Sequence, residues 1–254
     1  SDRTADKGDY DLSEEEHQML ADICAYYKNV VVVINAGAQV DLSFMDEFRN
    51  IRALLVIVQP GMEGGNAFAD ILSGKVNPSG KLADTWAYKY EDYPSSEKFS
   101  HNNGNVETEL YDEGIYVGYR YFETFCPEKV MYELGFGLSY SKFDIEILKA
   151  ETVTEESEVG GAWGSHGVSI DNGTCAGKEV QITICVKNTG DCRGKEVVQV
   201  YVQAPQGKLG KPARELKAFA KTKELAPGEK QEMTLHIPQS SKATASWPPS
   251  ASCP

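Results

Sequence analysis

The sequence is short of positive charge, of paired cysteines and of long apolar runs, and each shortage closes off a class of function. Lysine and arginine number 25 against 38 aspartate and glutamate, a net charge of −13. Nucleic-acid binding calls for a basic face to meet phosphates, so no nucleic-acid partner is expected. No apolar stretch is long enough to cross a bilayer, and no signal peptide is legible, so no membrane partner is expected. The six cysteines (24, 126, 175, 185, 192 and 253) include no CxxC pair. Cys175 could bridge to Cys185 or Cys192, but reduced thiols in a cytoplasmic protein are the simpler expectation. Cys24 and Cys185 are placed on the apolar faces of a helix and a strand, where buried free thiols are ordinary. No metal-ligating cluster appears, and Gly61 to Gly65 lacks the lysine and spacing of a phosphate loop. No metal or cofactor is expected.

What the sequence does contain is organised around residues 54–78, LLVIVQPGMEGGNAFADILSGKVNP. Leu54 to Val58 is an unbroken apolar run of strand length, suited to a strand buried on both faces as in a parallel sheet. Pro60 and Gly61 break it. Ala67, Phe68, Ile71 and Leu72 then recur at helical spacing, with Gly64 and Gly65 placed where helix and sheet would touch. Glu63 stands at the helix start, favourable for a carboxylate, and Gly74, Asn77 and Pro78 end the helix. Strand, glycine turn and helix make half of a βαβ unit.

Upstream, Ser13 and Glu16 form a capping box for a helix whose stripe is Leu20, Ile23, Cys24 and Tyr27. Val30 to Asn35 reads as a second apolar strand. A short helix from Leu42 to Arg49 carries Leu42, Met45 and Phe48. Two apolar strands joined by a helix should lie parallel, with a right-handed crossover. A short strand over Leu82 to Trp86 precedes a long polar loop from Tyr88 to Val106, and such loops are either functional or mobile. Glu109 to Phe125 is dense in tyrosine. From Phe143 onward the pattern is all-β: strands over 143–148, 180–186, 196–202, 215–220 and 232–237, with turns at Asn188-Thr189-Gly190 and Ala226-Pro227-Gly228. This spacing suggests a β-sandwich. Residues 153–177 read as a loose insertion.

Three blocks, GMEGGNAFADILSGKVNPSGKL, YDEGIYVGYRYFETF and YELGFGLSYSKF, resemble the second domain of glycoside hydrolase family 3. KEVQITICVKNTG, GKEVVQVYV, RELKAFAKT and LAPGE resemble the fibronectin type III-like domain that follows it in the family's β-glucosidases. The resemblance implies an α/β sandwich, a mostly parallel sheet flanked by helices, over 1–141. A fibronectin type III-like β-sandwich follows over 142–238, and then a disordered tail over 239–254. It further implies retaining hydrolysis of terminal β-D-glucosyl residues of oligosaccharides or glucosides, at a junction with a (β/α)8 barrel. Family members use two carboxyls roughly 5 Å apart, one a nucleophile and one protonated.

In the family the acid/base glutamate lies in a segment patterned S-G-E-G-x-D-R. Ser1-Asp2-Arg3 matches its end, which puts that glutamate just before Ser1. The nucleophilic aspartate belongs to the barrel. No catalytic residue is therefore expected within these 254 residues, and Ser1, Asp2 and Arg3 are the candidates for lining the sugar pocket. Glu63 is expected to bond backbone N–H groups at its helix start rather than serve as an acid, because hydrogen bonds to the charged form lower a pKa. Asp112-Glu113 also matches a family motif, but a loop-packing role is favoured. Tyr111, Tyr116, Tyr119 and Tyr121 are expected to pack their loop onto the α/β core, with stacking on sugar the less favoured role. Asp84 and His101 read as solvated. Relatives continue beyond the 232–237 strand with two further strands, which the Ser/Pro-rich tail does not resemble. Open sandwich edges are then expected. The competing function is a non-catalytic carbohydrate-binding or scaffold module.

Overall fold

The computed structural model describes residues 10–98, 105, 107–108, 111–154 and 178–238. They form two compact units, one of residues 10–138 with 203–214 and the other of 139–202 with 215–238. The loose insertion and the tail foreseen at 153–177 and 239–254 lie almost wholly outside the described residues.

In the first unit, helix α1 (Glu14–Tyr26) starts on the expected capping box. The Ser13 hydroxyl accepts from the Glu16 amide at 3.2 Å, and the Glu16 carboxylate accepts from the Ser13 amide at 2.9 Å. Such a cap is worth about 1 kcal/mol. The far end is closed by Asn50, whose side-chain amide donates to the Cys24 and Tyr27 carbonyls at 2.8 and 2.5 Å, two of the orphan acceptors every helix terminus leaves. Leu20 is buried and Cys24 packs beside it, but Ile23 and Tyr27 are 37% and 64% exposed, so only half of the expected stripe faces the core.

Strands β1 (Val30–Ile34) and β2 (Ile51–Val56) pair in parallel, with Val32 opposite Leu54 and Ile34 opposite Val56. The one-turn helix α2 (Phe44–Glu47) lies between them in sequence. Leu20, Val30, Ile34, Leu42, Phe44, Ile51 and Trp86 form the core here. The expectation of a strand buried on both faces is corrected. Of β2 only Ile51 is fully buried, because among the described residues this sheet has two strands and its faces are partly covered.

Helix α3 (Gly64–Leu72) ends at Gly74 with φ +74°. Its glycines do not serve the sheet contact expected of them. A Cβ on Gly64 would sit 2.3 Å from the Pro60 ring, whereas one on Gly65 would meet nothing within 4 Å. Strand β3 (Trp86–Ala87) pairs antiparallel with β4 (Val130–Tyr132), and helix α4 (Tyr119–Phe125) precedes β4.

The second unit holds β5 (Phe143–Thr154), β6 (Lys178–Asn188) and β9 (Lys230–Pro238) as one antiparallel sheet in the order β5-β6-β9. Strands β7 (Val197–Gln203) and β8 (Arg214–Lys221) form another sheet. Ile184, Val186, Val198, Leu225 and Leu235 form one core from both sheets. Side chains directly opposite on neighbouring strands share a face, so Ile145 and Ile147 point the same way as their buried partners Val186 and Ile184. Yet they are 50% and 65% exposed. Among the described residues the two-stranded sheet leaves this part of β5 uncovered; the tail on which the expectation of open sandwich edges rests lies outside them.

Cys185 is a further correction. It lies opposite Glu146 on one side and Glu232 on the other, on the polar outer face, because strand alternation sends it away from Ile184 and Val186. Among the described residues, Cys24, Cys126, Cys185 and Cys192 form no disulfide with one another. No helix among the described residues is long and apolar enough to cross a membrane.

Candidate functional site

Ligands of parallel α/β sheets gather at the carboxyl ends of the strands, here the segments after Ile34 and Val56. The two segments touch. The Ile57 amide donates to the Ile34 carbonyl at 2.9 Å, and a Cβ on Gly37 would lie 2.9 Å from the Gln59 amide oxygen. Val58 and Gln59 have φ of +40° and +50°, followed by Gly61 at +72°. Positive φ is rare outside glycine, and for a β-branched valine it is strained. Glu63, next in line, is exposed and caps no backbone group. Its carboxylate accepts from the Asn66 side-chain amide at 2.7 Å. The backbone-capping role foreseen for Glu63 is therefore wrong: at the N-cap its carboxylate takes a side-chain donor one turn into the helix instead.

The tyrosine-rich stretch resolves into packing and exposure. Phe122 and Cys126 are buried with Ala87 and Tyr121, and Tyr93, Tyr116, Phe125 and Val130 pack around them. The Tyr93 and Phe122 rings meet at 5.7 Å and 90°, the edge-to-face arrangement aromatic quadrupoles favour. The Tyr93 hydroxyl accepts from the Ala87 amide at 3.0 Å. Burial raises the pKa of Tyr10 and Tyr93 above the ordinary tyrosine value; for Tyr93 the Ala87 amide works in the opposite direction. Tyr116 and Tyr121 thus pack, but in this aromatic cluster rather than on the α/β core around Val30, Ile34 and Ile51 as expected. Tyr119 is half-buried, with the Arg120 guanidinium 5.8 Å from its ring. Tyr111 does not pack, being 92% exposed.

Asp112 is paired with Lys98, and Asp84 is exposed. Glu113 is half-buried, and burial raises its pKa above 4.5 against an opposing hydrogen bond from Ser95. A carboxyl whose folded pKa is raised contributes stability below its unfolded value that is lost as pH rises through the folded one. Glu113→Gln is accordingly expected to stabilise the chain at neutral pH and to be without effect below 4.5. Urea melts of both proteins at the two pH values check this.

Ser1, Asp2, Arg3 and His101 lie outside the described residues. The described residues do bring two carboxylates together, at a place the sequence did not point to. A cavity of 170 Å³ is lined by Thr85, Glu123, Pro127, Val130, Met131, Glu133 and Arg214. Arg214 donates through Nε and Nη2 to both oxygens of Glu123 and through Nη2 to Glu133 at 3.1 Å. Glycoside hydrolysis with retention needs one carboxyl that carries a proton and one free to attack. A guanidinium shared by both makes an ion cluster, not such a pair. Among the described residues no group of three or more histidines, cysteines or carboxylates is disposed to hold a metal ion.

Residues 1–119 match the glycosyl hydrolase family 3 C-terminal domain, and residues 196–253 match the fibronectin type III-like domain. β-Glucosidase A of Butyrivibrio fibrisolvens is 44% identical over 91% of this chain, which spans 27% of that protein. A β-glucosidase of Ruminococcus albus is 40% identical over 93% of the chain and 22% of its own length. Among solved structures, a β-glucosidase from Paenibacillus barengoltzii superposes with a TM-score of 0.78 at 42% identity, covering 93% of this chain and 24% of that one. β-Glucosidase 3B from Thermotoga neapolitana, in complex with glucose, gives 0.75 at 36% identity, covering 93% and 30%. The chain thus spans about a quarter of the length of these relatives. It belongs to glycosyl hydrolase family 3, as a β-glucosidase-like module in which the family's C-terminal domain is followed by a fibronectin type III-like domain.

Proposed function

We propose that this chain supplies the non-barrel part of a retaining β-glucosidase acting on terminal β-D-glucosyl residues of oligosaccharides or glucosides. The observation that carries this is the 44% identity running across 91% of the chain to a β-glucosidase of which only 27% is covered. In this proposal 1–141 forms a mostly parallel sheet flanked by helices, of which β1 and β2 are two strands. Residues 142–238 form the β-sandwich, with 239–254 as a tail. Ser1, Asp2 and Arg3 line the sugar pocket at the junction with a (β/α)8 barrel. The acid glutamate lies just before Ser1, and the nucleophilic aspartate on the barrel. The protein works in the reducing cytoplasm, where thiols such as those of Cys185 and Cys192 stay reduced.

It follows that the chain by itself hydrolyses nothing. Purified chain with an aryl β-glucoside is expected to stay at the buffer background, and Glu63→Gln to make no difference. Turnover well above background that survives Glu63→Gln would overturn the proposal. A second reading, a carbohydrate-binding or scaffold module, is favoured by one observation, the 92% exposure of Tyr111. Exposed rings of this kind stack on sugars. Adding a separately produced barrel chain that carries the nucleophile and the acid glutamate separates the two: restored turnover supports the enzyme, and sugar binding without turnover the module.

A further inference from the structure

Residues 203–214, which run from the last residue of β7 to the first of β8, belong to the first unit. The segment is stapled to itself, the Gln206 side-chain amide donating to the Ala204 and Pro212 carbonyls at 3.1 and 3.4 Å. A turn closes from the Gly210 amide to the Gly207 carbonyl at 3.1 Å, and Gly210 takes a φ of +53° that suits glycine.

Three anchors then fix the segment to residues 116–133. The Tyr116 hydroxyl donates to the Gly210 carbonyl at 2.6 Å. The Ala213 amide donates at 2.9 Å to the Thr124 hydroxyl, which itself donates to the Arg120 carbonyl. One hydroxyl thereby spends its single proton and one lone pair on two different backbone groups. The third anchor is the Arg214 guanidinium, two-pronged on Glu123 and reaching Glu133. The Glu123 side chain is 13% exposed and that of Arg214 40%. Paired, planar, charge-assisted bonds of this kind are the strong ones. They hold the Arg214 guanidinium above even its ordinary pKa, the Glu123 bond being the largest cause.

Helix α4 needs such support. Seven residues are too few for a helix to persist by local bonding, and its N-cap, Gly118, has no side chain to offer. Tyr121 and Phe122 hold one face in the aromatic cluster, while Glu123 and Thr124, the next two residues, take the segment. From this geometry we infer that 203–214 is an obligate strap of the first unit. Arg214 is its positioning residue for α4, and Tyr116 couples it to the tyrosine-bearing loop. The inference does not depend on the sugar chemistry proposed above.

Hydrogen exchange on the full chain tests it. Arg214→Gln and Glu123→Gln are each expected to speed exchange by about tenfold at the α4 amides and in 203–214. The double variant should be no worse than Arg214→Gln alone, since that change already removes the bond to Glu123. The β6 and β9 amides should not change, and Arg214→Lys, which keeps charge without the fork, should fall between. Unchanged α4 exchange in Arg214→Gln overturns the inference, as does equal loosening of β6. If Arg214→Gln is not recovered folded, Tyr116→Phe decides: faster exchange across 207–213 with β6 unmoved supports the strap, and no change at 207–213 overturns it.

Discussion

Asn188→Ala is expected to cost the second unit about 3–5 kcal/mol, because one fully buried amide serves four partners there. Its oxygen accepts from the Ser141 hydroxyl at 2.6 Å and the Gly190 amide at 3.1 Å. Its nitrogen donates to the carbonyls of Cys192 at 2.7 Å and Leu225 at 2.9 Å. Asn188 has no exposed surface, so alanine leaves these groups facing a void that water fills poorly. The corner has no slack, since a Cβ on Gly190 would come within 2.3 Å of the Ser141 hydroxyl. Urea unfolding followed by a probe in β6 or β9 measures the loss, and a cost under about 1 kcal/mol would show that the network contributes little.

Asn188→Asp sharpens the test through its sign. A carboxylate there would aim a buried negative charge at two carbonyl oxygens, so burial and repulsion raise its folded pKa. A raised acid gives stability that is complete in acid and lost as pH rises through the folded value. The variant should therefore approach the parent's stability at low pH and fall away towards neutrality, whereas Asn188→Ala should be uniformly weak.

The sequence signals that served best were those whose physics is local. Ser13 and Glu16 announced the start of α1, apolar runs with turn residues announced β1 and β2, and the alternation of Val180, Ile182, Ile184 and Val186 announced a strand with one buried face. The same alternation, carried one residue further, would have put Cys185 on the polar face. Asn188 read as a turn residue because Asn-Thr-Gly is turn chemistry, and its burial depends on Leu225, far along the chain. α4 and β4 were not foreseen. ETF and EKVMY have no caps and too little length for periodicity to speak, and both are fixed by tertiary contacts instead. The Glu123, Glu133 and Arg214 cluster was hidden for the same reason, its members being 81 and 91 residues apart in sequence. For the candidate sugar site, Ser1 to Arg3 were named by resemblance alone and lie outside the described residues. Glu63 was placed correctly at the start of α3 but given the wrong partner.

Phe122→Ala is expected to cost the first unit about 3–5 kcal/mol, the range for truncating a buried aromatic ring. The ring is 1% exposed and meets Tyr93 at 5.7 Å and Tyr121 at 5.5 Å, both edge-on. It is the apolar tie between the short helix α4 and the segment carrying Tyr93. Two independent readouts follow. Unfolding followed in the first unit should shift to lower urea while β6 and β9 hold their place. The Tyr93 hydroxyl, whose pKa burial raises above 10.0, should titrate closer to that ordinary value once its cover is removed, as ultraviolet absorbance would register. Phe122→Leu, which keeps most of the volume, should cost less and leave the titration where it was. The outcome bears on function as well as on packing. If Phe122→Ala proves nearly neutral and Tyr93 does not move, these rings are not held as a core and remain available to stack on a sugar. A large cost with a moved titration assigns them to packing and not to stacking; the 92% exposed Tyr111 is not among the rings it decides.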